Sequence, residues 1–223
     1  MYVPAHFDES RPEVLHALIT QHPFGTLVTH GASGLDANHL PFELLANDGA
    51  PGVPGMPGAL GTLHAHVARA NPLWQDVKDG DEVLAIFRAG DAYISPTWYP
   101  GKHETHRQVP TWNYVVVHAH GHIRIRDDDK FVRGVVARLT RTHEADEPKP
   151  WKMGDAPPDY LDTMLKAIVG LEIEITRLVG KRKLGQNKEA RDIRGAGEAL
   201  VARGEDTIGR QMLDHLAGLE NKP

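Results

Sequence analysis

A strict alternation of apolar and polar side chains between residues 171 and 176 is the feature that most constrains how this chain folds. The alternating residues are Leu171, Glu172, Ile173, Glu174, Ile175 and Thr176. Successive side chains of a β-strand point to opposite faces of the sheet, so a period of two gives this strand one apolar and one polar face. A strand of this kind is typical of an antiparallel sheet that buries one face and exposes the other.

The remaining periodicity predicts strands in the middle of the chain and helices around them. Strands are predicted at residues 24–30, 35–45, 60–67, 82–88, 92–95 and 112–126, and helices near residues 11–22, 127–143, 160–168, 188–202 and 206–216. Pro41 moves its strand toward an edge or a bulge, and Gly90 starts a turn. We therefore expect an α+β fold on an antiparallel sheet or barrel. We expect one domain over residues 1–223, with a C-terminal helical extension from about residue 187.

Composition narrows the function classes. The chain has 223 residues, a formal net charge of −5 and no cysteine, which excludes disulfides and cysteine nucleophiles. Nucleic-acid binders usually carry a basic surplus, so the charge gives direct DNA binding no support. No run of about 18 apolar residues occurs, and the N-terminus lacks signal-peptide features. We expect a cytoplasmic protein without membrane spans. The Gly- and Pro-rich residues 49–61 predict a surface loop without a function of its own.

The first group with chemical potential follows the strand at residues 60–67. His66 and Arg69 precede Asn71 and Pro72, which are typical of a helix N-cap and a first helical residue. A cation beside free helix amides suits a phosphate. A surface arginine beside an ordinary cap is the alternative.

The second group consists of two aromatic clusters at residues 93–99 and 109–114, on either side of a polar loop at residues 101–108. Two of the four tryptophans and three of the five tyrosines lie between residues 93 and 114. This concentration suits a planar ligand on a mixed apolar and polar wall. A core corner where two strands cross explains it equally well.

Histidines and basic residues form two further patterns. His118, His120 and His122 share one strand face, but neighbours on a face are about 6.5–7 Å apart, which is too wide for three ligands of one ion, so no metal site is expected. The basic residues 181–188 suit a phosphate contact, a nucleic-acid patch or a solvated strand end.

Seven segments, in this order along the chain, resemble one family, the PaiB-type FMN-binding negative transcriptional regulators. The segments are residues 1–7 (MYVPAHF), 38–42 (NHLPF), 66–72 (HVARANP), 93–99 (YISPTWY), 109–114 (VPTWNY), 117–121 (VHAHG) and 183–188 (KLGQNK). The resemblance implies a split β-barrel that binds FMN, related to pyridoxamine-phosphate oxidase. It also implies a homodimer with the flavin at the subunit interface.

Site residues follow from this resemblance by position. Arg69 and Asn71, with His66 beside them, are the phosphate candidates. The flavin or the space over it is expected to be lined by Tyr93, Ser95, Trp98, Thr111, Trp112 and Asn113. Lys183, Gln186 and Asn187 are candidates from the partner subunit.

Three functions are compatible with these observations. The first is an FMN-binding protein of the PaiB type that acts in regulation. The second is a flavin-dependent oxidoreductase. The third, a repressor that binds DNA directly, has support only from the basic stretch around residues 181–194 and is disfavoured by the acidic residues of the last helices.

Overall fold

A computed structural model describes residues 1–32, 34–46 and 60–220, so residues 49–59 of the predicted Gly/Pro loop lie outside the described part. The strands are β1 (Asp8–Glu9), β2 (Phe24–Gly31), β3 (Gly34–Pro41), β4 (Glu43–Leu45), β5 (Thr62–Ala68), β6 (Glu82–Ile94), β7 (Thr111–Arg126) and β8 (Ile168–Lys183). The α-helices are α1 (Pro12–Gln21), α2 (Leu73–Asp76), α3 (Pro100–Thr105), α4 (Asp129–His143), α5 (Pro158–Lys166), α6 (Ala190–Ala202) and α7 (Asp206–Glu220).

The strands form one sheet in the order β3-β2-β6-β7-β8-β5-β4, and β1 pairs with β8. The pairs β2–β3, β2–β6, β4–β5, β5–β8 and β1–β8 are antiparallel. The alternating residues 171–176 lie in β8, where Leu171, Ile173 and Ile175 are buried and the glutamates between them are half-buried. These findings confirm the predicted α+β class. Within the described ranges, no helix is both long and apolar enough to span a membrane.

The contacts within the chain divide it into two units. The first unit takes the described residues of Met1–Leu15, Arg88–Val117 and Val179–Pro223, and the second takes those of His16–Phe87 and His118–Leu178. Ile94, Leu200 and Met212 are fully buried in the first unit. Leu63 and Ile173 pair across β5 and β8 in the core of the second. Each such side chain stabilises its core by about 1.5–3 kcal/mol.

Two sequence predictions were wrong in detail. The turn predicted at Gly90 does not exist, because β6 continues through this glycine, which takes a φ of +103°. The loop predicted at residues 101–108 contains α3, which begins at Pro100, a residue pre-set for a first helical turn. The effect predicted for Pro41 is confirmed: β3 is a terminal strand of the sheet and ends at this residue.

The helix predicted from residue 127 begins slightly later. α4 spans Asp129–His143, and its N-cap is Asp128, whose Oδ1 accepts a 2.8 Å hydrogen bond from the Phe131 amide. The carboxylate of Asp127 is therefore left for a different partner.

Candidate cofactor site

The twelve predicted site residues fall into two groups, one in each unit. The turn group, in the second unit, consists of His66, Arg69 and Asn71. The wall group, in the first unit, consists of Tyr93, Ser95, Trp98, Thr111, Trp112, Asn113, Lys183, Gln186 and Asn187.

Arg69 follows the last residue of β5 and is held by four hydrogen bonds from its guanidinium. Its NH1 donates to Asp127 Oδ2 at 2.9 Å and its NH2 to Asp127 Oδ1 at 2.5 Å. Its Nε donates to the Lys166 carbonyl at 2.7 Å, and NH2 also reaches the Ile168 carbonyl at 3.2 Å. This paired geometry raises the pKa of Arg69 and lowers the pKa of Asp127. A phosphate that binds Arg69 must therefore either displace Asp127 or share the guanidinium with it.

Asn71 closes the turn after Arg69. Its Oδ1 accepts a 2.9 Å hydrogen bond from the Leu73 amide, and its Nδ2 donates to Asn38 Oδ1 at 2.7 Å. The capping role predicted for Asn71 is thus present as a hydrogen bond, but the helix begins at Leu73 rather than Pro72. α2 has only four residues. The predicted cluster of free helix amides is therefore confined to about one helical turn.

His66 lies on β5 opposite Gly170 of β8. Burial lowers the pKa of its imidazole, which favours the neutral ring. Its Nδ1 is buried and has no hydrogen-bond partner among the described residues. A buried polar atom without a partner is costly, and it marks this strand end as a place where a polar ligand atom fits.

Two aromatic rings of the wall group are exposed and touch each other. Tyr93 and Trp112 are 44% and 54% exposed, and their ring centroids are 5.9 Å apart at an interplanar angle of 73°. Val109, 70% exposed, precedes β7 in the chain. Large apolar side chains grouped at a surface are typical of ligand or protein interfaces. This pair therefore offers exposed aromatic surface to a ligand or to another protein.

Thr111 and Lys183 are also brought together. The ammonium of Lys183 donates to Thr111 Oγ1 at 2.5 Å. Partial burial lowers the pKa of Lys183, and the charges of Lys181 and Lys188 add to this effect. A lysine whose charge is partly desolvated gains by binding an anionic or carbonyl oxygen.

Three other wall residues are committed to local structure. Ser95 caps the 3₁₀ turn of residues 96–98 through the Thr97 amide. Asn113 is 1% exposed and donates to Met212 Sδ at 3.3 Å. Gln186 accepts from the Leu184 amide at 2.8 Å and donates to the Arg182 carbonyl at 2.5 Å.

The two remaining residues of the wall group are Trp98 and Asn187. Arg203 lies over the Trp98 ring at 5.2 Å, and Asn187 is exposed.

Sequence reasoning missed two carboxylates that organise these groups. Asp127 binds Arg69 across 58 positions of sequence. Asp192 on α6 is 2% exposed and accepts hydrogen bonds from the Gly101 amide at 2.8 Å and from Gln108 at 3.3 Å. The only signal for Asp192 was its place beside Ile193 on the apolar face of a predicted helix, where a carboxylate needs a partner.

Comparisons with known proteins agree with this architecture. A family model described as a "Putative FMN-binding domain" matches residues 1–177. This match includes the turn group and six of the nine wall residues, but not Lys183, Gln186 and Asn187.

Relatives cover nearly the whole chain. A protein of Emericella nidulans is 32% identical over 92% of each chain. The protease synthase and sporulation protein PAI 2 of Bacillus subtilis is 29% identical over 90% of this chain and 89% of its own.

Solved structures agree on the fold. The flavocytochrome Anf3 of Azotobacter vinelandii has a TM-score of 0.59 at 11% identity, covering 82% of this chain and 73% of its own. The FAD and heme binding protein of Mycobacterium smegmatis has a TM-score of 0.55 at 15% identity, covering 85% and 80%. The fold is the split barrel that the resemblance implies.

Proposed function

The chain belongs to the family of FMN-binding domains, with FMN as its cofactor, and from this premise we propose that it is a homodimeric regulator of the PaiB type. The observation that carries the proposal is the family match over residues 1–177, joined with the similarity to PAI 2 along nine-tenths of the chain. FMN supplies hydride or single-electron transfer when bound, which makes a protein of this kind responsive to redox state.

Each residue group, taken by itself, offers chemistry that suits one part of FMN. For the phosphate end, the turn group provides the cation of Arg69 and the buried Nδ1 of His66, which has no hydrogen-bond partner among the described residues. The exposed pair of Tyr93 and Trp112 suits the isoalloxazine ring, since aromatic rings gain from offset or edge contacts. Lys183, whose ammonium donates to Thr111 of the same chain, suits a polar edge of the ring system. The partner subunit is proposed to contribute Lys183, Gln186 and Asn187.

The regulatory role is proposed to act without direct reading of DNA. The net charge of −5 opposes association with phosphates. α7 carries a single arginine, Arg210, whose NH2 donates to Asp206 Oδ2 of the same helix at 2.8 Å, so this helix does not present a basic face. A mobility shift with duplex DNA that weakens steeply with salt would contradict this part of the proposal.

Cofactor binding is tested by titrating the full chain with FMN and following the quenching of flavin fluorescence. We expect saturation at one FMN per subunit and coelution of flavin absorbance with the protein in gel filtration. Trp112→Ala should weaken binding about two- to tenfold, because contact with an aromatic ring contributes about 0.5–1.5 kcal/mol beyond the buried area. Trp151→Ala, at an exposed tryptophan of the other unit, is the matched control. An absence of quenching and of coeluting flavin would refute the proposal.

The subunit interface is tested by mixing two variants that are each defective in FMN binding, Arg69→Gln and Lys183→Gln. If each site takes Arg69 from one subunit and Lys183 from the other, random mixing restores about a quarter of the sites. If both residues come from the same subunit, mixing restores none. Sedimentation measured in parallel must show a dimer for each variant.

A further inference from the structure

A cavity of about 420 Å³ lies in the second unit beside the last turns of α4. Its walls include Ala137 and Arg141 of the helix and residues 150–153 of the segment that follows it. None of the twelve candidate cofactor residues lines it. The volume is that of a site for a small organic molecule.

The walls of this cavity are fixed by the chain's own hydrogen bonds. The Trp151 amide donates to Glu144 Oε2 at 2.8 Å, which ties the segment to the helix end. The Lys152 amide donates to Asp155 Oδ2 at 3.0 Å, and the Asp155 amide returns to the Lys152 carbonyl at 2.8 Å. A pre-formed cavity costs little ordering entropy when a ligand enters.

The lining chemistry is apolar with a cationic rim. Pro150, Met153 and the indole of Trp151, which is 43% exposed, supply the apolar surface. Arg141 and Lys152 add two cations, and neither side chain forms an ion pair with a described residue. The one acid of the lining, Glu144, is already an acceptor for the Trp151 amide. The local balance therefore favours an anion.

We infer that this cavity binds a small planar aromatic ligand that carries one anionic group. The ring lies against Trp151, where an exposed indole gains most from a flat apolar partner. The anionic group lies at Arg141, whose guanidinium binds carboxylate, sulfonate or phosphate oxygens through paired hydrogen bonds. The site is separate from the proposed flavin contacts and is independent of the proposed function.

The test uses two dyes that share a ring system and differ in charge, on the full chain saturated with FMN so that the flavin site is filled. Anilinonaphthalene sulfonate carries an anion, whereas N-phenylnaphthylamine does not. Arg141→Gln should weaken the sulfonate dye about tenfold and leave the neutral dye unchanged. Ala137→Phe should abolish the binding of both dyes by filling the cavity. Lys149→Gln, at an exposed lysine outside the lining, is the matched control.

Three outcomes would overturn the inference. Equal binding of the sulfonate dye by Ala137→Phe and the unchanged protein would place the dye elsewhere. An unchanged affinity of Arg141→Gln for the sulfonate dye would show that Arg141 does not bind the anionic group. A change in sedimentation of Ala137→Phe would assign the cavity to a contact with a second copy of the chain. If Ala137→Phe does not fold, Ala145→Phe at another residue of the lining provides the same test.

Discussion

At the scale of single residues, Arg69 carries the proposed phosphate contact. The sequence indicated a cation at a turn, and the structure adds Asp127 as its partner. That pair is 39% and 47% exposed, so solvent screens the attraction and the pair stabilises the fold only weakly. The pair could not be predicted, because its members are 58 positions apart and Asp127 stands at the start of a predicted helix. Because of this ion pair, a phosphate that binds Arg69 has to share the guanidinium with Asp127.

Because Asp127 and the phosphate compete for Arg69, replacing each member of this pair should change FMN binding in opposite directions. Arg69→Gln should weaken FMN binding about tenfold or more, since a hydrogen bond to a charged group contributes about 1.5–3 kcal/mol. Asp127→Asn should strengthen FMN binding about two- to fivefold, because it removes a negative charge beside the phosphate. Both affinities can be measured by flavin fluorescence quenching.

Riboflavin, which lacks the phosphate, is the internal control for this prediction, and its affinity should not respond to either variant. Arg133→Gln, which breaks an exposed ion pair with Asp162 in the same unit, controls for the loss of a surface pair. Equal weakening of FMN and riboflavin by Arg69→Gln would mean that this arginine does not contact the phosphate.

At the scale of elements, most strands and helices could be predicted from local physics. The period of two located β8, and the helix predicted near residues 127–143 starts within two positions of α4. Gly90 shows why local rules fail: a Gly-Asp pair usually marks a turn, yet here the glycine takes a φ of +103° inside a continuous strand. Thr207 of α7 packs against this position, and such a tertiary contact leaves no local signal.

Gly90 and Gly34 provide a matched pair for testing this account, since both have a φ near +100°. A Cβ at Gly90 would lie 2.8 Å from Thr207 Cγ2, whereas a Cβ at Gly34 meets no atom within 4 Å. Gly34→Ala should lower the free energy of unfolding by about 1–2 kcal/mol through backbone strain. Gly90→Ala should cost about 1 kcal/mol more, from overpacking. Urea unfolding measures both, and equal costs would show that α7 yields at this contact.

At the scale of the whole molecule, the sequence predicted the class of the site better than its contacts. Resemblance supplied twelve positions, but a residue's neighbour depends on strand register and on chain crossings that periodicity does not encode. Tyr93 and Trp112 face each other because β6 and β7 are neighbours in the sheet. Asn113, one residue further on, points to the opposite face and is buried against Met212. Adjacent motif residues therefore have different roles.

Buried histidines make the stability of the whole chain depend on pH. Burial is the main cause that lowers the pKa of five described histidines, which are His22, His64, His66, His118 and His120. Their neutral form is favoured by folding, so the unfolded chain binds more protons between the folded pKa and the ordinary value of about 6.5. Stability is full above that ordinary value and is lost as the pH falls through it toward the folded pKa. Each histidine adds a slope of at most about 1.4 kcal/mol per pH unit.

The pair His118 and His120 tests this pH dependence most directly. Their rings are 6.5 Å apart on one face of β7, which matches the spacing expected along a strand, and Nε2 of His120 is buried without a partner among the described residues. Replacing both by glutamine removes two groups that take up protons on unfolding. The free energy of unfolding, measured in urea from about pH 7.5 to 5.5, should then fall less steeply toward acid than in the unchanged protein. His103→Gln, at an exposed position of α3, controls for the loss of a histidine as such. An equal slope in the double variant and the unchanged protein would assign the acid sensitivity to other groups.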